Sequence, residues 1–143
     1  MLIVEATVDS PILEEPLSQQ PTAAIRNEAI YQNHDEITYL FWAESDDFAA
    51  FETALDADPT VTSPNLLTEA NTRRLYRVIF TDRGEEVATF PTWSELDLVV
   101  LHGERTHDGW SVRMRIPSRE ALQTYRDICL EQGLSFELHS VYE

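Results

Sequence analysis

Lysine is absent from the sequence; all ten basic residues are arginine, set against 26 aspartates and glutamates for a formal net charge of −16. Capturing duplex DNA depends on neutralising phosphates with cations, so a surface of this sign excludes direct nucleic-acid contact as the role of this chain. Acidity without lysine points to a saline cytoplasm, because at molar salt the screening length shrinks to about 3 Å and self-repulsion fades. The expectation is a halophilic protein whose stability climbs with KCl. Cysteine occurs once, as Cys129, which excludes an internal disulfide and reads as a buried, inert thiol on a helix face. Four glycines are too few to expect a phosphate-cradling loop. No apolar run approaches the roughly 18 residues that span a bilayer. The opening MLIVEATVDS has no basic leader and reads as a strand, so neither a signal peptide nor a membrane partner is expected, and the location follows as cytoplasmic.

What is present is enough for a folded core. Hydrophobic residues make up 43% of the chain, too many for disorder despite the charge. Leu2, Val4, Ala6 and Val8 alternate with Ile3, Glu5, Thr7 and Asp9 and predict a first strand. Ser10-Pro11 opens a short helix that Pro16 and Pro21 keep brief. Strands are predicted over 24–32 and 36–44, joined by Asn33-His34-Asp35. In the second, ITYLFWA is apolar on both faces, as suits a central strand. Ser45-Asp46-Asp47 starts a helix with the stripe Phe48, Phe51, Ala54 and Leu55, ending at Asp58-Pro59. A less regular strand over 61–68 and a polar connection over 69–72 follow.

The pattern then begins again. A strand is predicted over 75–81, and 82–92 is divided between a turn at Arg83-Gly84 and a short helix over 85–90. Stretches 96–104 and 109–116 form a hairpin, with Trp110, Val112, Met114 and Ile116 on one face and Ser111, Arg113 and Arg115 on the other. Pro117 holds Ile116 extended, and Ser118 caps a helix with the stripe Ala121, Leu122, Tyr125, Ile128 and Cys129. Gly133 ends that helix, and Leu134, Phe136 and Leu138 alternate in a closing strand. Both halves, 1–72 and 73–143, thus read β, short connection, β, β, helix, β. The expected class is α+β, as two ferredoxin-like (βαββαβ) repeats with mainly antiparallel sheets; one continuous antiparallel sheet with helices on one face is the alternative.

No cluster announces a chemistry. His34, His102, His107 and His139 are scattered over turns and strands and lack the spacing of a metal site. No nucleophile elbow occurs, and Ser118 already serves as a cap, so neither a catalytic group nor a cofactor is expected and the chain reads as non-enzymatic. Arg113 and Arg115 share a strand face, with His102 and Glu104 in the neighbouring strand. They predict either cross-strand ion pairs or an anion site, since guanidinium forks match carboxylates. Trp93 follows Pro91 in an irregular connection, where it lines a pocket between the halves or plugs the end of a sheet.

Five segments, IVEATV, FWAESDDFAAFETALDADPTV, RRLYRVIFTD, DGWSVRMRIPSREALQTY and EQGLSFELHSVYE, run in order across nearly the whole chain. Their succession resembles the N-terminal domain of haloarchaeal bacterio-opsin activator-like (Bat-type) helix-turn-helix transcription regulators. The resemblance implies a regulatory or sensory module that modulates an attached DNA-binding domain, through a small-molecule ligand or through pairing into a homodimer. It also implies that the C-terminal helix-turn-helix of that family is absent from this chain, with Val141-Tyr142-Glu143 marking where it attaches.

Overall fold

The computed structural model describes all 143 residues. In chain order the elements are β1 (Leu2–Asp9), α1 (Glu14–Gln19), β2 (Ala24–Asn33), β3 (Glu36–Glu44), α2 (Phe48–Ala57), β4 (Val61–Ala70), β5 (Arg73–Phe80), α3 (Asp82–Val87), α4 (Phe90–Glu95), β6 (Val99–Thr106), β7 (Gly109–Ile116), α5 (Arg119–Glu131) and β8 (Ser135–Tyr142). The strands belong to one antiparallel sheet in the order β4-β5-β3-β2-β6-β7-β1-β8. The α+β class and the antiparallel pairing are as expected, and the arrangement is the continuous sheet rather than two separate ones. None of the helices is long and apolar enough to cross a membrane.

Two compact units divide the chain, and β6 contributes residues to each. The first unit comprises Met1–Ser10, Ala88–Gly103 and Asp108–Glu143. Here β1 is flanked by β7 and β8, with Val4 opposite Met114 on one side and opposite Val141 on the other. Alternation places Leu2, Val4, Ala6 and Val8 on one face, where they meet Met114, Ile116 and the inner stripe of α5: Leu122, Tyr125 and Cys129. Each of the Leu, Val, Ile and Met side chains contributes about 1.5–3 kcal/mol on burial. The ends of α5 are set by sequence. The Ser118 hydroxyl accepts from the Ala121 N–H at 3.1 Å. At the other end the N–H of Leu134 reaches the Cys129 carbonyl at 2.9 Å and that of Gly133 reaches Leu130 at 3.1 Å. That pair of bonds is the Schellman motif, and it requires the positive φ of Gly133, 78°.

The second unit comprises Pro11–Val87 with Glu104–His107. β3 lies between β2 and β5, the central place its two apolar faces predict. Its inner face carries Tyr39 and Phe41, which join Phe51, Tyr76 and Phe80 in a ring cluster with centroids 5.4–6.0 Å apart. Helix α2 covers this cluster with Phe51, Ala54 and Leu55. Its cap is Asp47, whose carboxylate accepts from Ala50 N–H at 3.1 Å; Ser45, two residues earlier, instead holds the Asp47 N–H at 3.0 Å.

Several boundaries differ from the sequence expectation for identifiable reasons. Helix α1 starts at Glu14 rather than beside Pro11, because Leu13 takes a left-handed conformation (φ 59°) and nothing before it is helical. Its first turn is satisfied by the buried Asp58, whose Oδ2 accepts from Glu15 N–H at 3.2 Å. Asp58 Oδ1 also accepts from the amide and hydroxyl of Thr60, at 2.8 and 2.5 Å, and Thr60 Oγ1 accepts from Leu13 N–H at 3.1 Å. Gly84 sits inside α3, not in a turn, and the close approach of the Thr60 carbonyl leaves no room for a side chain there. A further helix, α4, takes 90–95, so β6 begins at Val99 and not at 96. The connection expected over 69–72 shrinks to Asn71-Thr72 as β4 and β5 extend toward each other.

Candidate functional site

The outward face of the second unit's sheet carries its most distinctive surface. Cross-strand partners share a face, so the register itself assembles the row Glu104, Arg26, Trp42 and Leu75 across β6, β2, β3 and β5. A second row, Ala24, Glu44 and Arg73, lies alongside it. All of these but Leu75, together with Ile25, line an open cleft of about 220 Å³.

Two contacts fix parts of that wall. Arg73 Nε meets Glu44 Oε1 at 2.6 Å. Trp42 Nε1 donates to Glu28 Oε2 at 3.2 Å, which orients the indole. Glu28 can do this because the β2–β3 ladder shifts register between Asn27 and Ala29, leaving Glu28 without a cross-strand partner. Bulges re-aim side chains in this way near functional surfaces.

Sequence reasoning missed Arg26 and Trp42. Counting outward from the turn that pairs Asn33 with Glu36 would set Arg26 opposite Ala43. The one-residue shift at the bulge sets it opposite Trp42 instead. The only local signal is a tryptophan and an arginine near the open ends of the two strands of a hairpin, which is weak without the register.

Arg113 and Arg115 do share an exposed face of β7, as predicted. Their paired partners on β1 are Glu5 and Ile3, while Glu104 stands opposite Arg26 and belongs to the cleft. His102 lies on β6 and His107 in the turn after it; His34 occupies the β2–β3 turn with φ 58°. His139 on β8 is within 2.7 Å of the Thr7 hydroxyl. No three His, Cys, Asp or Glu side chains converge as a metal site would need.

Trp93 lies in the first unit and is half-buried. It packs against the cluster around Met114 and Tyr125, and its Nε1 donates to Thr89 Oγ1 at 3.0 Å. The Tyr125 hydroxyl lies 2.8 Å from the same oxygen, so an irregular segment is anchored through one threonine. Burial raises the Tyr125 phenol well above its usual range, with the adjacent Cys129 adding to the shift. Cys129 is fully buried, and burial pushes its thiol up as well. Its burial is what its place on the helix stripe predicts.

The second unit holds its own buried polar groups. Tyr39 donates to Asn27 Oδ1; burial raises its phenol strongly, with the charge of the buried Arg105 opposing the shift. Glu52 accepts from Arg74 at 2.9 Å and from the Tyr76 hydroxyl at 2.8 Å, and the Arg74 guanidinium lies 4.5 Å from the Phe48 ring centroid. A smaller hollow of about 100 Å³ beside Glu52, Asp56 and Leu66 adjoins this network.

A family model described as "BAT: GAF and HTH_10 associated domain" matches residues 3–143. No curated protein matches the sequence.

Proposed function

The chain belongs to the BAT family of GAF and HTH_10 associated domains, and from that membership we propose how such a regulatory domain of transcription regulators works here. A small molecule binds the domain, favours one of its arrangements, and thereby changes the DNA affinity of an attached helix-turn-helix. A ligand shifts an equilibrium only by its differential affinity for the two states, so the domain needs a site of its own. The cleft beside Trp42 and Arg26 is the observation that supports one. Thermal denaturation in molar KCl against amino acids, nucleotides, sugars and organic acids tests this. One class should raise the melting temperature in a dose-dependent way, and no shift with any class defeats the ligand reading.

One observation favours a second reading, self-pairing along the edge of β8. The two edge strands are unlike. β4 carries Pro64, a positive-φ Ser63 and two register shifts, devices that keep an edge from pairing. β8 has one register shift, at His139, but no proline and no positive-φ residue, and it leaves Leu138 and Tyr142 about half exposed. A homodimer through β8 should dissociate in Leu138→Lys. Light scattering that finds only monomer at every protein and salt concentration rules it out.

A further inference from the structure

The β8 side of the first unit exposes apolar side chains in two layers, one on the strand and one on the helix above it. The register shift at His139 divides β8 into short runs, so its edge offers a partner only a broken ladder. Stable interfaces bury roughly 1,200–2,000 Å² around a packed apolar centre, which strand backbones alone do not provide. The additional surface lies on α5. Arg119, Arg126 and Leu130 are all exposed and fall within about 40° of one another around the helix axis. Arg119 Nη2 meets Oε1 of Glu143, just after β8, at 3.4 Å, so this flank of α5 overlooks the sheet edge. Leu130 on the helix and Leu138 on the strand, each about half exposed, therefore stand on the same side of the unit.

Charge indicates the occupant. A chain of net charge −16 repels its own copies, and two copies can approach closely only where acidic groups are sparse. The acids of α5, Glu120, Asp127 and Glu131, lie roughly 100° around the helix from the Arg119–Leu130 flank, on the side away from the buried Leu122, Tyr125 and Cys129. The flank itself is left with two arginines and a leucine. In β8 the only acid is Glu137. It pairs with Thr7, which alternates with the inward Ala6 and Val8, so Glu137 projects from the face away from α5. The side of the unit with the exposed leucines is thus the one where a second copy meets the least repulsion. We propose, building on the self-pairing reading above, that two copies join about a two-fold axis with β8 against β8 in the sheet and the Arg119–Leu130 flank of α5 against its counterpart, so that Leu130 and Leu138 leave water together.

Sedimentation velocity of the folded chain over a range of protein and KCl concentrations provides the test. A dimer should form and should tighten as KCl rises, because salt screens the repulsion between the copies. Leu130→Glu and Arg126→Glu, at exposed positions that spare the fold, should each weaken it by about tenfold or more while the parental circular dichroism is kept. Leu67→Lys, on the opposite edge strand β4, should associate as the parent does. The α5 flank is overturned if either substitution there leaves the dimer within about threefold of the parent, or if the dimer loosens as KCl rises. If the same dimer is lost in Leu138→Lys, pairing through β8 still stands without the helix layer. A dimer that ignores Leu138→Lys as well, or that Leu67→Lys breaks, removes both, as does a monomer under every condition.

Discussion

The two cores differ in how far their rings are linked: Tyr125 and Phe136 meet at 6.0 Å among aliphatic side chains in one, whereas Tyr39, Phe41, Phe51, Tyr76 and Phe80 form a connected ring cluster in the other. The contrast extends to the joints. In the first unit α5 is secured at both ends by its own sequence, through Ser118 and the Gly133 turn. In the second, the short helices α1 and α3 are held by distant partners, through Asp58 and the backbone of Thr60. Local motifs tolerate adjustment because only neighbouring residues must move. A buried hub shared by several segments does not, since every contact there constrains the others. The second unit therefore holds its polar positions firmly, and it is also the unit that presents the mixed-charge cleft.

Substituting one glycine in each unit tests that difference most sharply. At Gly84 an added methyl would run into the Thr60 carbonyl and press on the Phe80 Cβ, backbone and core that cannot step aside. Gly84→Ala should cost at least about 3 kcal/mol, at the upper end of overpacking losses. Fluorotryptophan NMR during urea denaturation reads it out, since Trp42 reports on the second unit while Trp93 and Trp110 report on the first. A loss under about 1 kcal/mol at Trp42 would show that the α3 joint yields after all.

Asp58→Ala comes next. It removes the acceptor for the Thr60 amide, the Thr60 hydroxyl and the Glu15 amide in a place only 4% exposed. Leaving such donors unmatched costs about 3 kcal/mol by the usual penalties. Hydrogen exchange should rise first in α1. An undisturbed α1 would mean that the hub is not what holds it.

Neither hub residue was legible in the sequence, and the reason is physical. Asp58 sits beside a proline at a helix end, where it reads as a stop signal, and nothing local says that it also caps a helix more than forty residues earlier. What was legible is what short-range chemistry decides. The alternation of Leu2 to Val8, the Ser118 cap, the Gly133 stop and the two apolar faces of β3 all lie where expected. The pairing of β1 with both β7 and β8 joins the first strand to the last, and no local pattern contains that. The cleft failed to show for a narrower reason: one bulged residue in β2 decides which side chain faces Trp42.

A milder change in the first unit provides the counterpart to Gly84. Gly133→Ala meets no atom within 4 Å, so only the left-handed backbone opposes it, at about 1 kcal/mol. Iodoacetamide labelling of the buried Cys129 should quicken by roughly fivefold, the equilibrium factor that such a loss represents. A loss as large as that of Gly84→Ala would erase the proposed distinction between local and shared joints.

The smallest expected effect separates the units by pH. The Cys129 thiol and the Tyr125 phenol in one unit, and the Tyr39 and Tyr76 phenols in the other, are all raised, chiefly by burial. Each is an acid that keeps its proton longer when folded than when unfolded. The folded state therefore binds more protons in the alkaline range, and stability is complete below the unfolded pKa and falls as pH rises toward the folded one. The unfolded reference is 9.0 for the thiol and 10.0 for the phenols. The unit holding Cys129 should thus begin to weaken near pH 9, before the other, with a slope of at most about 1.4 kcal/mol per pH unit for one proton. In Cys129→Ala the early phase should vanish, leaving both units to weaken together from about pH 10 as the phenols begin to titrate. Urea midpoints read separately at Trp42 and at Trp93 and Trp110 would detect the offset. An unchanged onset in Cys129→Ala would remove the thiol as its source, and an earlier loss at Trp42 would reverse the ordering of the two units.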